Sequence, residues 1–289
     1  MTPSKVLVTG ARGFIGSHVA AALEARGVSV ATLVRPVDYH DRETVDSVLR
    51  QVKPTILVHC AWHLADGSTY LADKGNDDEG DASLELFRLA HAAGCGRVVG
   101  IGTCLEYEES PGRVREDAPL RPRTVYGASK AALFNATEIW AREAGCSFSW
   151  ARLYYPFGPR EAAHRLVPTV VNGLLRGERV PTTAGEQRRS FLFAADVGDA
   201  IAAMALADVA GAVNVGADGV IAVRELVERI GDLMDRRELL DIGAFPARPD
   251  DPDVLWPDVE RLTTLVNWRP SHDLEAGLEE TIAWWRAQR

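Results

Sequence analysis

A short apolar run, Lys5-Val6-Leu7-Val8-Thr9, breaks directly into Gly10-Ala11-Arg12-Gly13-Phe14-Ile15-Gly16. No other stretch narrows the fold as much. The run reads as a buried first strand, and glycines spaced three apart read as a tight turn that opens a helix. Glycine at 10, 13 and 16 lets the backbone approach a pyrophosphate, whose charge suits the unpaired N–H groups of a helix N-terminus. The spacing is G-x-x-G-x-x-G, not the commoner G-x-G-x-x-G. It points to a bound dinucleotide, although similar turns also join strand to helix where nothing binds.

Apolar runs of strand length recur at 5–9, 28–34, 56–60, 97–102 and 148–153, with helical patterns between them at 14–26, 41–51, 81–93 and 124–144. Near-continuous apolar strands alternating with helices predict an α/β fold, a Rossmann-type doubly wound parallel sheet covered on both faces. Ligands then sit at the carboxyl ends of the strands. The short segment up to Asp38 predicts a vestigial third strand, and the polar, glycine-rich residues 66–81 read as a solvated loop or substrate lid. Their register does not fit a calcium loop. From 157 onward prolines punctuate the chain, yet 191–214 again reads as strand, helix and strand, which predicts one return to the main sheet. The expected division is a cofactor domain of 1–156 and 186–217 with a smaller substrate-binding lobe of 157–185 and 218–289.

Composition excludes several classes. At 289 residues, 46% apolar and 25% charged, the chain is globular rather than disordered or fibrous. A net charge of −9 argues against nucleic acid or an anionic membrane as partner. With no leader pattern and no run of about 18 apolar residues, the expected compartment is the cytoplasm. Four scattered cysteines without C-x-x-C and seven dispersed histidines predict neither a disulfide framework nor a metal site.

Tyr126 and Lys130 stand four apart on one predicted helix face. A cation beside a phenol favours the phenolate and would draw its pKa from about 10 toward neutrality, which suits a tyrosine acid/base. An exposed i,i+4 pair is the plainer reading. Lysine is scarce, however: only positions 5, 53, 74 and 130 carry it, against 28 arginines, so Lys130 marks a place for a compact point charge. Thr103, at the end of the 97–102 strand, places a hydroxyl at the ligand crevice, where it also reads as a simple strand-end threonine.

Taken in order, the glycine turn, the Thr103 hydroxyl and Tyr126-x-x-x-Lys130 resemble the extended short-chain dehydrogenase/reductase family. The resemblance runs through Thr9-Gly-Ala-Arg-Gly-Phe-Ile-Gly16, His59-Cys-Ala61, Arg152-Leu-Tyr-Tyr-Pro-Phe-Gly-Pro159, Arg189-Ser-Phe-Leu-Phe-Ala-Ala-Asp196-Val197 and Asn267-Trp-Arg-Pro270. It implies Thr103, Tyr126 and Lys130 as the catalytic triad, with Lys130 also on the nicotinamide ribose and Tyr155 and Pro156 near the carboxamide. It further implies cofactor contacts at Gly10, Arg12, Gly13, Phe14, Ile15, Gly16, Arg35, Asp38, Tyr39, Cys60, Ala61 and Trp62. Trp62 and His63 stand at the crevice mouth within reach of a sugar, and His63 equally reads as a loop histidine. A nucleotide-diphospho-sugar is the implied substrate, with Arg189 and Arg248 on its diphosphate, a group that guanidinium forks suit.

Departures from the family pattern narrow the reaction. Sugar 4,6-dehydratases carry Thr-Asp-Glu where this chain has Thr103-Cys104-Leu105. The epimerase-reductases that make GDP-fucose carry a cysteine and a histidine where this chain has Leu105 and Arg160. The run Thr103-Cys-Leu-Glu-Tyr107 is similar to reductases of CDP- or dTDP-4-keto-6-deoxyhexoses, although Glu108 and Ser190 differ from their usual residues. The expected activity is an NADPH-dependent 4-ketoreductase. A sugar 4-epimerase holding NAD is the nearest alternative, and a non-catalytic cofactor sensor a distant one. NADP(H) is expected because the second strand ends at Arg35, where an NAD site places an acid about 20 residues past the turn. Arg12 and Arg35 together suit a 2′-phosphate, with Asp38 and Tyr39 beside the adenine. A homodimer is expected on the helices at 81–93 and 124–144, since the first is apolar on more than one face.

Overall fold

The computed structural model describes residues 5–33, 39–62, 69–247 and 251–289. The first half alternates as expected: β1 (Lys5–Thr9), α1 (Phe14–Ala25), β2 (Ser29–Leu33), α2 (Arg42–Val52), β3 (Ile56–His59), α3 (Gly75–Ala92) and β4 (Arg97–Thr103). Next come β5 (Arg113–Val114), α4 (Val125–Ala144), β6 (Ser147–Leu153), β7 (Pro156–Phe157), α5 (Leu166–Arg176) and β8 (Val180–Thr182). They are followed by β9 (Arg188–Arg189), β10 (Leu192–Phe193), α6 (Ala194–Leu206) and β11 (Gly211–Val215). The rest carries β12 (Ile221–Ala222), α7 (Val223–Leu233), β13 (Leu240–Ile242), β14 (Val254–Pro257), α8 (Glu260–Thr264) and α9 (Leu274–Ala287).

The main sheet has six strands in the order β11-β6-β4-β3-β1-β2, every neighbouring pair parallel. Winding reverses between β1 and β3, and that reversal opens the crevice in which such sheets bind ligands. Alternate strand residues feed two cores. Val6, Val8, Val58, Val99 and Val213 pack on one face with Val19 of α1 and Ile201 of α6. Leu7, Leu57, Val98 and Phe148 pack on the other with Leu49, Phe87 and Phe134 of α2, α3 and α4. A third core joins α5, α7 and α9 through Val170, Leu174, Leu226, Ile230 and Ile282.

Several expectations shift. Residues 66–81 are not all loop, because α3 starts at Gly75, six residues earlier than its apolar periodicity suggests. The polar first turns hold because Asn76 is bonded to Trp62 and Tyr70, and Glu79 to Tyr39 and His40. β10 pairs with β7 rather than with the main sheet, so only β11 rejoins it. A second, four-stranded sheet, β12-β9-β14-β5, joins strands from both parts of the expected division, since β5 and β9 lie within 1–156 and 186–217. No helix among the described residues is long and apolar enough to cross a membrane.

Candidate active site

The glycine turn is a cradle with no spare room. Gly10 has φ +67°, and a Cβ there would lie 2.7 Å from the Ala61 nitrogen; a Cβ on Gly16 would lie 2.2 Å from the Gly10 carbonyl oxygen. β1, α1 and the chain after β3 are therefore in backbone contact. Helix α1 starts at Gly13 without a side-chain cap and without an acid in its first turn, whereas Asp41, Thr124 and Asp273 cap α2, α4 and α9. Its first N–H groups remain available to an anion. This geometry fits a dinucleotide pyrophosphate. Behind it the Thr9 hydroxyl accepts from Ala61 N–H and donates to His59 Nδ1 (2.8 Å), while His59 Nε2 donates to Ser83. Burial first, then the Lys130 charge, pushes the His59 pKa down to about 3, which keeps the ring neutral, accepting at Nδ1 and donating at Nε2.

Thr103 ends β4 and caps the turn Cys104–Glu106, its hydroxyl accepting from Leu105 N–H at 3.3 Å. Helix α4 meets that turn closely, since a Cβ on Gly127 would stand 2.4 Å from the Leu105 carbonyl oxygen. Its first turn thus carries Tyr126 to the carboxyl end of β4. One turn later Lys130 is 3% exposed, donating to the Ile101 carbonyl at 2.9 Å. Its Nζ lies 3.3 Å from the centre of the Trp62 ring and 5.8 Å from that of Tyr126.

The electrostatics correct one expectation. Tyr126 is shifted up, not toward neutrality, because burial outweighs every charge near it. Lys130 points to a carbonyl and an indole face instead of the phenol, and its own burial draws it down to about 7. The site therefore offers a phenol that keeps its proton at neutral pH, beside a desolvated amine.

Beneath Thr103 lies a buried polar network. Glu106 accepts from Thr103 N–H (2.8 Å), from Trp150 Nε1 (3.0 Å) and from Arg152 Nε (2.7 Å), and both partners of the ion pair are essentially unexposed. Arg152 continues to the Tyr107 hydroxyl, which donates to Asn214 on β11. Cys104 beside it is pushed up to about 12 by burial and stays a thiol.

Among the other expected residues, Arg12 is exposed, Phe14 and Ile15 open α1, and Cys60 is half-buried beside the cradle. Tyr39 bonds Glu79 and packs edge-on against His59. Tyr155 adopts φ +24° under the Arg189 guanidinium, which lies 5.2 Å above its ring, and Pro156 starts β7. Arg189 itself is 1% exposed and paired with Asp251 at 2.6 Å. Arg35, Asp38, His63 and Arg248 lie outside the described residues. Among the described residues no cluster of three or more His, Cys, Asp or Glu side chains is arranged to hold a metal ion.

Sequence reasoning missed Tyr70, Asn76, Glu161 and Arg165. Tyr70 meets the Tyr126 ring edge-on at 5.2 Å, and its hydroxyl accepts from Arg165 at 3.2 Å. Asn76 joins the Tyr70 carbonyl to Trp62 Nε1. None lies in a motif; Tyr70 and Asn76 fall within the lid-like residues 66–81, and Glu161 and Arg165 carried no cue.

The same architecture recurs in known proteins. A dTDP-4-dehydro-6-deoxy-D-allose reductase of a Streptomyces species is 26% identical, with 98% of this chain and 97% of that protein covered. UDP-glucuronic acid decarboxylase 1 of Xenopus tropicalis is 25% identical over 98% of this chain and 72% of its own length. The crystal structure of Thermus thermophilus UDP-glucose 4-epimerase in complex with NAD superposes with a TM-score of 0.88 at 25% identity, covering 98% and 99% of the two chains. Residues 6–216, from β1 past β11, match the model of the NAD dependent epimerase/dehydratase family, and to that family this chain belongs.

Proposed function

We propose that this chain is an NADPH-dependent 4-ketoreductase of a nucleotide-diphospho-4-keto-6-deoxyhexose, dTDP- or CDP-linked. The observation that carries the reading is the state of the acids at the carboxyl end of β4. Glu106 is the sole carboxylate of the Thr103–Tyr107 run, and it is wholly engaged with Arg152, Trp150 and the Thr103 N–H. Cys104 keeps its proton. That run offers no free acid for eliminating water, whereas Tyr126 holds the proton that reduction of a ketone consumes. The likeness to the Streptomyces reductase along the whole chain supports the same choice.

In this reading Gly10, Gly13, Gly16 and the start of α1 hold the pyrophosphate, while Arg12 and Arg35 hold the 2′-phosphate. NADPH, when bound, supplies the hydride. Thr103 positions the carbonyl oxygen, Tyr126 donates its proton to that oxygen, and Lys130 stabilises the phenolate left behind. Arg189 and Arg248 take the diphosphate. The working unit is a homodimer in the cytoplasm built on α3 and α4; Ile139, 51% exposed on α4, is the kind of residue such an interface covers.

The likeness to the Thermus epimerase favours a second reading, an NAD-dependent 4-epimerase. Incubation with dTDP- and CDP-4-keto-6-deoxyglucose plus NADPH decides. Stoichiometric loss of nicotinamide absorbance with one substrate is expected, with kcat/KM higher for NADPH than for NADH. Interconversion of UDP-glucose and UDP-galactose without added cofactor would overturn the reductase.

A further inference from the structure

The loop that follows β7 holds a buried polar atom without a hydrogen-bond partner. Glu161, in the loop between β7 and α5, is 7% exposed, and its Oε2 is buried without a hydrogen-bond partner. An orphan of this kind costs about 1–3 kcal/mol, and no helix needs it as a cap, since α5 begins after Arg165. Burial raises the carboxyl to about 8, so at neutral pH it is an acid that can both donate and accept.

Four residues on, Arg165 places its guanidinium where its charge acts on Glu161, Tyr126 and Tyr155. Among the described residues its side chain makes one hydrogen bond, to the Tyr70 hydroxyl, and the guanidinium lies over that ring at 5.6 Å. Tyr70 in turn lies against Tyr126 and is tied through Asn76 to Trp62, whose face covers Lys130. A fork of donors, a neutral acid and a phenol thus meet around Arg165, next to the contact between the Tyr70 and Tyr126 rings. This mixture of donors and acceptors matches vicinal hydroxyls, each of which donates and accepts.

We propose that Glu161, Arg165 and Tyr70 form a subsite for the ring hydroxyls of the hexose, with Glu161 and Arg165 binding them and Tyr70 yielding its bond to Arg165 as they arrive. The subsite rests on the sugar-nucleotide reading above and adds to it the residues that recognise the sugar itself. Recognition of hydroxyls here separates a sugar nucleotide from its bare nucleoside diphosphate.

Calorimetric titration of the full chain, saturated with NADP, tests it with dTDP, CDP and the matching 4-keto-6-deoxyglucose nucleotides. The wild type is expected to bind one sugar nucleotide at least about tenfold more tightly than its diphosphate. Arg165→Met and Glu161→Leu should erase most of that difference and leave diphosphate affinity within about twofold, while Glu161→Gln restores it. Melting temperatures are compared alongside: Glu161→Gln can keep the hydrogen bond to the Gly158 backbone and should melt no lower than wild type. The subsite is overturned if the wild type binds sugar nucleotide and diphosphate equally, or if the variants keep the difference. Binding of neither ligand overturns the sugar-nucleotide reading and the subsite with it.

Discussion

Replacing Glu161 by glutamine should make stability depend on pH in a direction fixed by burial. In the unfolded chain this carboxyl titrates near its ordinary 4.5, whereas in the fold it titrates at about 8. Between those values the native state holds one proton more than the unfolded state, so wild-type stability falls as pH rises across the window. The slope is about 1.4 kcal/mol per pH unit, and over the roughly 3.5 units from 4.5 to 8 its ceiling is about 5 kcal/mol. Relaxation around a buried charge reduces that figure, so about 5 kcal/mol is an upper bound. Glutamine carries no titrating proton. The stability of Glu161→Gln relative to wild type should therefore be flat below about pH 4.5, climb to about pH 8, and level off above it. Urea unfolding of both proteins at half-unit steps from pH 5 to 9 measures this, and taking the difference cancels the opposing slope of Lys130 and other shared groups. A difference curve that stays flat would show Glu161 ionised in the fold and the carboxyl held by Arg165, contrary to the burial argument.

Tyr126→Phe keeps the ring and loses the proton, so turnover should drop about 10²–10⁴-fold with NADPH affinity retained, as stopped-flow and fluorescence titration would report. Lys130→Met should damage both turnover and cofactor affinity, and unchanged cofactor binding would remove Lys130 from the ribose. Breaking the buried Glu106–Arg152 pair by Arg152→Met should cost about 3–5 kcal/mol in denaturant unfolding, because Glu106 is then left buried without its counter-ion. Gly16→Ala should abolish the rise in melting temperature that NADPH confers, since its Cβ meets the Gly10 carbonyl at 2.2 Å; a preserved rise would place the pyrophosphate elsewhere.

Elements written in contiguous residues were legible. Five of the six strands of the main sheet, β1, β2, β3, β4 and β6, and the helices α1, α2 and α4 lie within two residues of where apolar periodicity put them. Helix α3 is the exception, because its first turns are polar and are held by partners as distant as Tyr39 and Trp62. Within the candidate site, the glycine cradle and the Tyr126–Lys130 spacing could be read directly. The ionisation of that pair could not: four-residue spacing implies a cation acting on a phenol, but Lys130 turns to Ile101 and Trp62. Arg189, expected to face a diphosphate, pairs with Asp251, a partner that no motif announces.

What the sequence determined alone was therefore the part set by local sterics and hydrophobic pattern. Parallel strands buried on both faces must be apolar throughout, a turn in backbone contact with its neighbours must be glycine, and a helix must bring residues four apart to one face. Only the tertiary structure decided the electrostatic and recognition properties. It brought Arg165 to Tyr70 across 95 positions, set Tyr70 against Tyr126, and buried the Glu161 Oε2 without a hydrogen-bond partner. The reason is desolvation: it depends on every atom packed around a group, most of them distant in the chain, and it sets which side chains keep their protons at neutral pH.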